Sequence, residues 1–239
     1  MKKLLCILLC IFSFASVFSI KALAEEEQVI QNDTTGIPDK NLYKSILFEL
    51  KKKENETFTK AEAASVTWLT IYANKKGTEI TTFAGLEHLT GLNMLGIIGG
   101  GLKDLNEISK LKTLTRLSIR DSNLENLQGI ENLTNLEWLD IVSGQFTDVS
   151  GIEKLQNLTA LVIENNLKVL PDLKALTKLR VKYTGFAFNK LSEKELRSKL
   201  PPQLLEEPLW LQNQLKFQNI RKGIKITRPK RIIAEGKSG

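Results

Sequence analysis

From Leu86 onward the apolar positions of this chain fall into a register that keeps returning. Leu86, Leu89, Leu92, Leu95 and Ile97 come back as Ile108, Leu111, Leu114, Leu117 and Ile119, each 22 residues on. The same shift of 22 gives Ile130, Leu133, Leu136, Leu139 and Ile141, and then Ile152, Leu155, Leu158, Leu161 and Ile163. Leu102/Leu105, Leu124/Leu127 and Phe146/Val149 occupy matching places between these sets. The apolar-x-apolar pair that closes each set has the two-residue period of a strand, one face inward and one outward. The three-residue steps before it suit a tight turn or short 3-10 segment on a return path. One such unit has too little interior to bury its own leucines, so the units must stack, and stacking pairs their strands into a parallel sheet. At roughly 1.5–3 kcal/mol per fully buried Leu or Ile, these positions are the main source of stability.

The array has irregular ends. Trp68-Leu69-Thr70-Ile71-Tyr72 reads as a first strand, with Asn74-Lys75-Lys76-Gly77 taking up the extra length before the next. Lys178-Leu179-Arg180-Val181-Lys182 reads as the last, with Leu170, Leu173 and Leu176 keeping phase. The pattern predicts an α/β solenoid, a right-handed leucine-rich repeat coil of about six parallel strands. An asparagine ordinarily stiffens the turn three residues after the second apolar strand position. Here that place is held by Asn74, Gly100, Ser122, Gly144, Asn166 and Thr184, and Gly99-Gly100-Gly101 marks a locally soft turn.

Helical flanks close the coil at both ends. Before it, Pro38-Asp39 opens a segment with Leu42, Tyr43, Ile46, Leu47 and Leu50 at helical spacing, and Thr59-Lys60-Ala61-Glu62 is a capping box for a second short helix. After it, Ser192-Glu193-Lys194-Glu195 is another capping box, Pro201-Pro202 stops that helix, and Glu207 to Lys216 has Leu209, Trp210 and Leu215 for packing.

The extreme N-terminus reads differently. Met1-Lys2-Lys3 precedes an apolar run from Leu4 to Ile20, and Ala22-Leu23-Ala24 offers small residues for cleavage before Glu25, the layout of a secretory signal peptide. An uncleaved anchor is the competing reading, since the run approaches the ~18 apolar residues that can span a bilayer. Cleavage after Ala24 would discard Cys6 and Cys10, the only cysteines, and place the protein outside the cell, secreted or surface-associated, with no disulfide to staple it. The expected segments are therefore 1–24 signal peptide, 25–36 linker, 37–67 helical N-terminal cap, 68–186 repeats, 187–221 helical C-terminal flank and 222–239 basic tail. Loss of Lys2, Lys3 and Lys21 brings the formal charge of +7 down to a value ordinary for solubility, not a nucleic-acid signature.

Ile37-Pro38-Asp39-Lys40-Asn41-Leu42, the helical cap, Gly85-Leu86-Glu87-His88-Leu89-Thr90 and Gly129-Ile130-Glu131-Asn132-Leu133-Thr134-Asn135-Leu136 at a 22-residue period together resemble the internalin-type leucine-rich repeat proteins exported by Gram-positive bacteria. The resemblance runs from about residue 37 to 186. It implies a binding module, an adhesin or virulence-associated factor that meets a host protein on the concave face of its coil. The chain lacks the Leu-Pro-x-Thr-Gly sorting motif of longer members, and too little follows the repeats for an immunoglobulin-like domain, so it is expected to be like the short, released members or a truncated relative.

On each strand the residues between the buried pair point out, and they form the candidate surface. Three rows result: Trp68, Met94, Arg116, Trp138, Ala160 and Lys178; Thr70, Gly96, Ser118, Asp140, Val162 and Arg180; Tyr72, Ile98, Arg120, Val142, Glu164 and Lys182. Trp, Tyr and Arg dominate interface hot spots, so Trp68, Tyr72, Met94, Ile98, Arg116, Arg120, Trp138, Asp140 and Val142 are the partner-binding candidates. Two alternatives stay open: Trp68 and Tyr72 pack under the first cap, and Arg120 and Asp140 merely pair across strands. Lys178, Arg180 and Lys182, continued by the basic tail, point either to an anionic envelope polymer or membrane surface or to a solvated end of the coil. Ile224 to Thr227 is alternatively a lone edge strand.

Catalytic chemistry has few carriers. His88 is the only histidine and sits among leucines on a return path. Without mature cysteine there is no thiol nucleophile and no His/Cys metal cluster, and the glycine triplet lacks the Lys-Ser/Thr of a phosphate loop. Sequons such as Asn132-Leu133-Thr134 follow from the repeat. The expectation is a protein partner, no cofactor, no metal, no nucleic acid and no small-molecule substrate.

Overall fold

The computed structural model describes residues 28–205 except 143, 166, 181–183 and 188–190, with the backbone alone for 184–187 and 193. The signal-peptide reading of 1–24, the helix expected at 207–216, the strand alternative at 224–227 and the basic tail lie outside the described residues. No helix among those described is long and apolar enough to cross a membrane.

A short antiparallel pair, β1 (Val29–Ile30) and β2 (Phe58–Thr59), flanks α1 (Lys40–Glu49), and α2 (Lys60–Ser65) leads into the coil. Six parallel strands then pair in sequence order: β3 (Trp68–Ala73), β4 (Met94–Gly99), β5 (Arg116–Arg120), β6 (Trp138–Val142), β7 (Ala160–Glu164) and β8 (Thr184–Ala187). The register Leu69↔Leu95↔Leu117↔Leu139↔Leu161 is the repeat made spatial. On the return path Leu86–His88, Ile108–Lys110, Ile130–Asn132 and Ile152–Lys154 each form one 3-10 turn, which buries its first apolar residue. The solenoid expected from the periodicity is the fold observed.

Chemistry recurring along the sequence fixes those turns. Gly85, Gly129 and Gly151 take a left-handed conformation before the 3-10 segment, and the Glu two residues later accepts the glycine N–H at 3.0, 3.1 and 2.8 Å. At the one return path where Glu107 stands in the glycine's place, its carboxylate instead accepts from Thr82 Oγ1 (2.7 Å) and Phe83 N (2.5 Å) of the coil before. Lys110 donates to Glu87 at 2.7 Å and ties two coils on their outer edge.

The last strand differs from expectation. The sequence placed it at Lys178–Lys182, with Leu179 opposite Leu161; the sheet pairs Leu161 with Thr184 and Ile163 with Phe186 instead. Leu176 N donates to Leu173 O and Leu179 N to Leu176 O, as Leu155 N does to Ile152 O and Leu158 N to Leu155 O. Leu179 therefore ends the return path as the counterpart of Leu158. Lys178 and Arg180 stand before the paired strand and are exposed, and Lys182 lies outside the described residues.

A neighbouring asparagine also serves the turn after β7. Asn165, one residue before the position read from the pattern, is buried, and its side-chain amide donates to Phe146 O at 2.7 Å, while position 166 lies outside the described residues.

At the N-terminal end Ile37, Leu42, Tyr43, Ile46, Leu47 and Phe58 join the same buried cluster as the repeat leucines. Tyr43 lies 4.9 Å from the Phe58 ring, and its hydroxyl donates to Ile30 O at 2.9 Å. Both expected capping boxes are present, Thr59 with Glu62 and Ser192 with Glu195. The latter opens α3 (Glu193–Lys199), which is followed by Leu200 and a 3-10 turn at Pro202–Leu204. Leu191, Leu196, Leu200 and Leu204 extend the cluster past the last strand.

Candidate strand-face binding site

The cross-strand pairs align the outward positions as the periodicity required over five strands. One row runs Trp68–Met94–Arg116–Trp138–Ala160, the next Thr70–Gly96–Ser118–Asp140–Val162, and the third Tyr72–Ile98–Arg120–Val142–Glu164. At the sixth strand the backbone partners of Val162 and Glu164 are Gly185 and Ala187, where Arg180 and Lys182 were expected.

Between the first and third rows the sheet carries a hollow of about 350 Å³. Trp68, Met94, Ile98, Arg116, Arg120 and Trp138 wall it, and Thr70, Gly96 and Ser118 floor it. Six of the nine proposed binding residues are thus brought together; Tyr72, Asp140 and Val142 are not among them. Three small floor residues between large walls make the hollow, and Gly96 does most, because a strand glycine leaves its place on the face empty. Trp68 donates its indole N–H to Thr70 Oγ1 at 3.0 Å, which sets its ring beside the floor. The residues the sequence reading passed over, Thr70, Gly96 and Ser118, were legible as a run of small residues across three strands of one row.

Trp68 and Tyr72 are 56% and 62% exposed, so neither packs under the cap. Asp140 is only 6% exposed, and Arg120 and Ser118 Oγ (3.3 Å) both donate to its Oδ2. The cross-strand pairing left open in the sequence is therefore present. Asp140 Oδ1 is buried without a hydrogen-bond partner. Arg116 is exposed, and its guanidinium has no ion-pair or hydrogen-bond partner among the described residues. Lys178 donates to Asn157 Oδ1 at 2.6 Å, and Arg180 takes part in the backbone bond to Thr159 O that leads into the last strand.

Solved structures share the fold of the coil. An internalin, inlF, from Listeria monocytogenes is 27% identical, with 65% of this chain and 45% of that one covered and a TM-score of 0.58. Internalin C2 of the same organism is 24% identical, with 73% and 76% covered and a TM-score of 0.61. This chain has the internalin-type leucine-rich repeat fold. The functional domain of InlJ, also from L. monocytogenes, shares the fold at 21% identity, 71% and 40% coverage and a TM-score of 0.50. Its structure includes a cysteine ladder, whereas the only cysteines of the present chain are Cys6 and Cys10, ahead of the repeats. The chain spans under half the length of the inlF structure and about three quarters of internalin C2. No family model and no curated protein matches the sequence. On its strand face the coil carries an aromatic and arginine wall around a small-residue floor.

Proposed function

We propose that this solenoid is a protein-binding module without catalytic activity, which grips a host protein through the strand face between Trp68 and Trp138. The observation that carries the reading is the hollow itself: two tryptophans, a methionine, an isoleucine and two arginines converge on one face of a sheet whose other face is fully buried. Aromatic and arginine side chains supply large contact area and forked hydrogen bonding, and an exposed apolar patch ringed by polar groups is the usual form of an interaction surface. The signal-peptide pattern of residues 1–24 supports action outside the cell, as an adhesin or virulence-associated factor that is secreted or held at the surface.

The test is a pull-down from host-cell extract at low and high salt, followed by affinity measurements on the captured protein. Trp138→Ala and Arg116→Ala should each weaken binding by about tenfold or more, with thermal unfolding nearly unchanged. Full retention of affinity in both variants rejects the strand face. Capture that collapses with salt and depends on Lys178 and Arg180 would favour an anionic envelope polymer in place of a protein.

A further inference from the structure

Charge and shape on the strand face narrow the partner's chemistry, and this step rests on the binding role proposed above. Two arginines border the hollow, but they are not equivalent. Arg120 spends its charge on the buried carboxylate of Asp140. Arg116 is exposed and uncompensated, set between Met94 and Trp138 on the neighbouring strands. An anion placed there would meet a guanidinium among apolar groups, where partial exclusion of water strengthens a forked charge-assisted bond. Next to it lies the empty place over Gly96. At 350 Å³ the hollow sits at the small end of ligand pockets, a space for one large side chain and not for an extended ligand.

We propose that the partner is a protein segment that seats an aromatic or large aliphatic side chain over Gly96 and gives a neighbouring carboxylate to Arg116. A polyanion would call for a field of cations, and the described residues that wall the hollow offer one free guanidinium, Arg116, beside hydrocarbon. A basic segment would bring like charge to Arg116, while the Asp140 carboxylate is buried beneath Arg120.

The full chain, labelled with ¹⁵N, is titrated separately with indole-3-acetate, indole and tryptamine, which share a ring and differ in charge. Indole-3-acetate should shift the amides of residues 94–98 and 116–120 and bind about fivefold or more tighter than tryptamine. Arg116→Glu should reverse that order. Gly96→Leu should abolish binding of all three while the protein stays folded, since the three atoms nearest a Cβ at Gly96 all belong to the Thr70 side chain, at 3.4–3.8 Å. Binding indifferent to ligand charge, binding that survives Gly96→Leu, or no shift at these amides overturns the proposal. If a captured protein still loses affinity in Trp138→Ala, the failure belongs to this inference alone. If neither Trp138→Ala nor Arg116→Ala costs it affinity, the strand-face reading falls as well.

Discussion

Asp39 shows how one carboxylate joins the cap to the coil. Its Oδ1 accepts from Asn41 N (2.9 Å) and Leu42 N (3.0 Å) at the start of α1, and its Oδ2 from Thr81 N (2.8 Å) and Thr81 Oγ1 (3.1 Å). Burial pushes its pKa upward, but the bonds from Thr81, Leu42 and Asn41 outweigh burial and hold it below the ordinary 3.8. A carboxylate depressed in the folded state stabilises fully above its unfolded pKa and loses that contribution as pH falls through the folded value. Asp39→Ala should thus cost about 1–3 kcal/mol at neutral pH, with the gap to wild type closing in acid. Urea denaturation at both pH values checks this, and a gap that stays constant would refute the assignment. Asp140 is the opposite case, a buried carboxylate with one oxygen unpartnered. Asp140→Val should leave stability unchanged or raise it, because it removes an unsatisfied acceptor and frees Arg120, already half exposed, to water. Arg120→Ala should cost about 1–2 kcal/mol by stranding the carboxylate, a value discounted for the exposure of the arginine. A melting-temperature series that ranks the two variants the other way would contradict this pairing. Alternation along a strand predicted which way Asp140 points and left its pairing with Arg120 open, and the structure supplies that pair.

At the scale of elements, five strands and both capping boxes were legible because their signals are local and distinct: period two for a strand, Thr or Ser followed three residues later by Glu for a helix start. The sixth strand was not, and the reason is a degeneracy. The spacing of three that links return-path residues is the same spacing that links the last of them to the strand. The series Leu170, Leu173, Leu176, Leu179 and Val181 therefore fits the pattern of Ile152 to Ile163 and, one step later, that of Val149 to Leu158. Only the backbone bonds Leu176 N to Leu173 O and Leu179 N to Leu176 O choose the second alignment. The glycine triplet was legible as a special turn, and the structure divides its roles. Gly99 and Gly100 both have positive φ, 80° and 88°, but a Cβ at Gly99 would lie 2.7 Å from Asn74 Cβ, while one at Gly100 approaches nothing closer than 3.4 Å. Both Ala substitutions carry the left-handed penalty of roughly 1–2 kcal/mol, and Gly99→Ala adds a collision between adjacent turns. Gly99→Ala should therefore be the more destabilising, and equal urea midpoints for the two variants would count against the turn geometry.

Across the whole molecule one apolar cluster runs from Ile30 to Leu204, yet its coils touch mainly their immediate neighbours. Such a stack is held by nearest-neighbour interfaces, so an open end loses protection first and the loss fades with distance. The C-terminal end is closed by the segment around α3. Leu173 N donates to Lys199 O at 2.7 Å, and the Gln203 side-chain amide to Leu176 O at 3.1 Å, so the flank satisfies groups of the last return path as well as covering its leucines. Leu196→Ala and Leu117→Ala remove the same side chain from equally buried sites, both 0% exposed, and each should cost about 2–5 kcal/mol. Their reach should nevertheless differ. Hydrogen exchange should quicken in β7 and β8 but hardly in β3 and β4 for Leu196→Ala, because a loosened flank can detach while the first coils stay paired. For Leu117→Ala, in the middle of the stack, protection should fall on both sides together, since neither half can lose its partner without exposing the other. Uniform loss of protection in both variants would mean that the protein unfolds as a single unit and that the flank is an integral part of that unit, not a detachable seal.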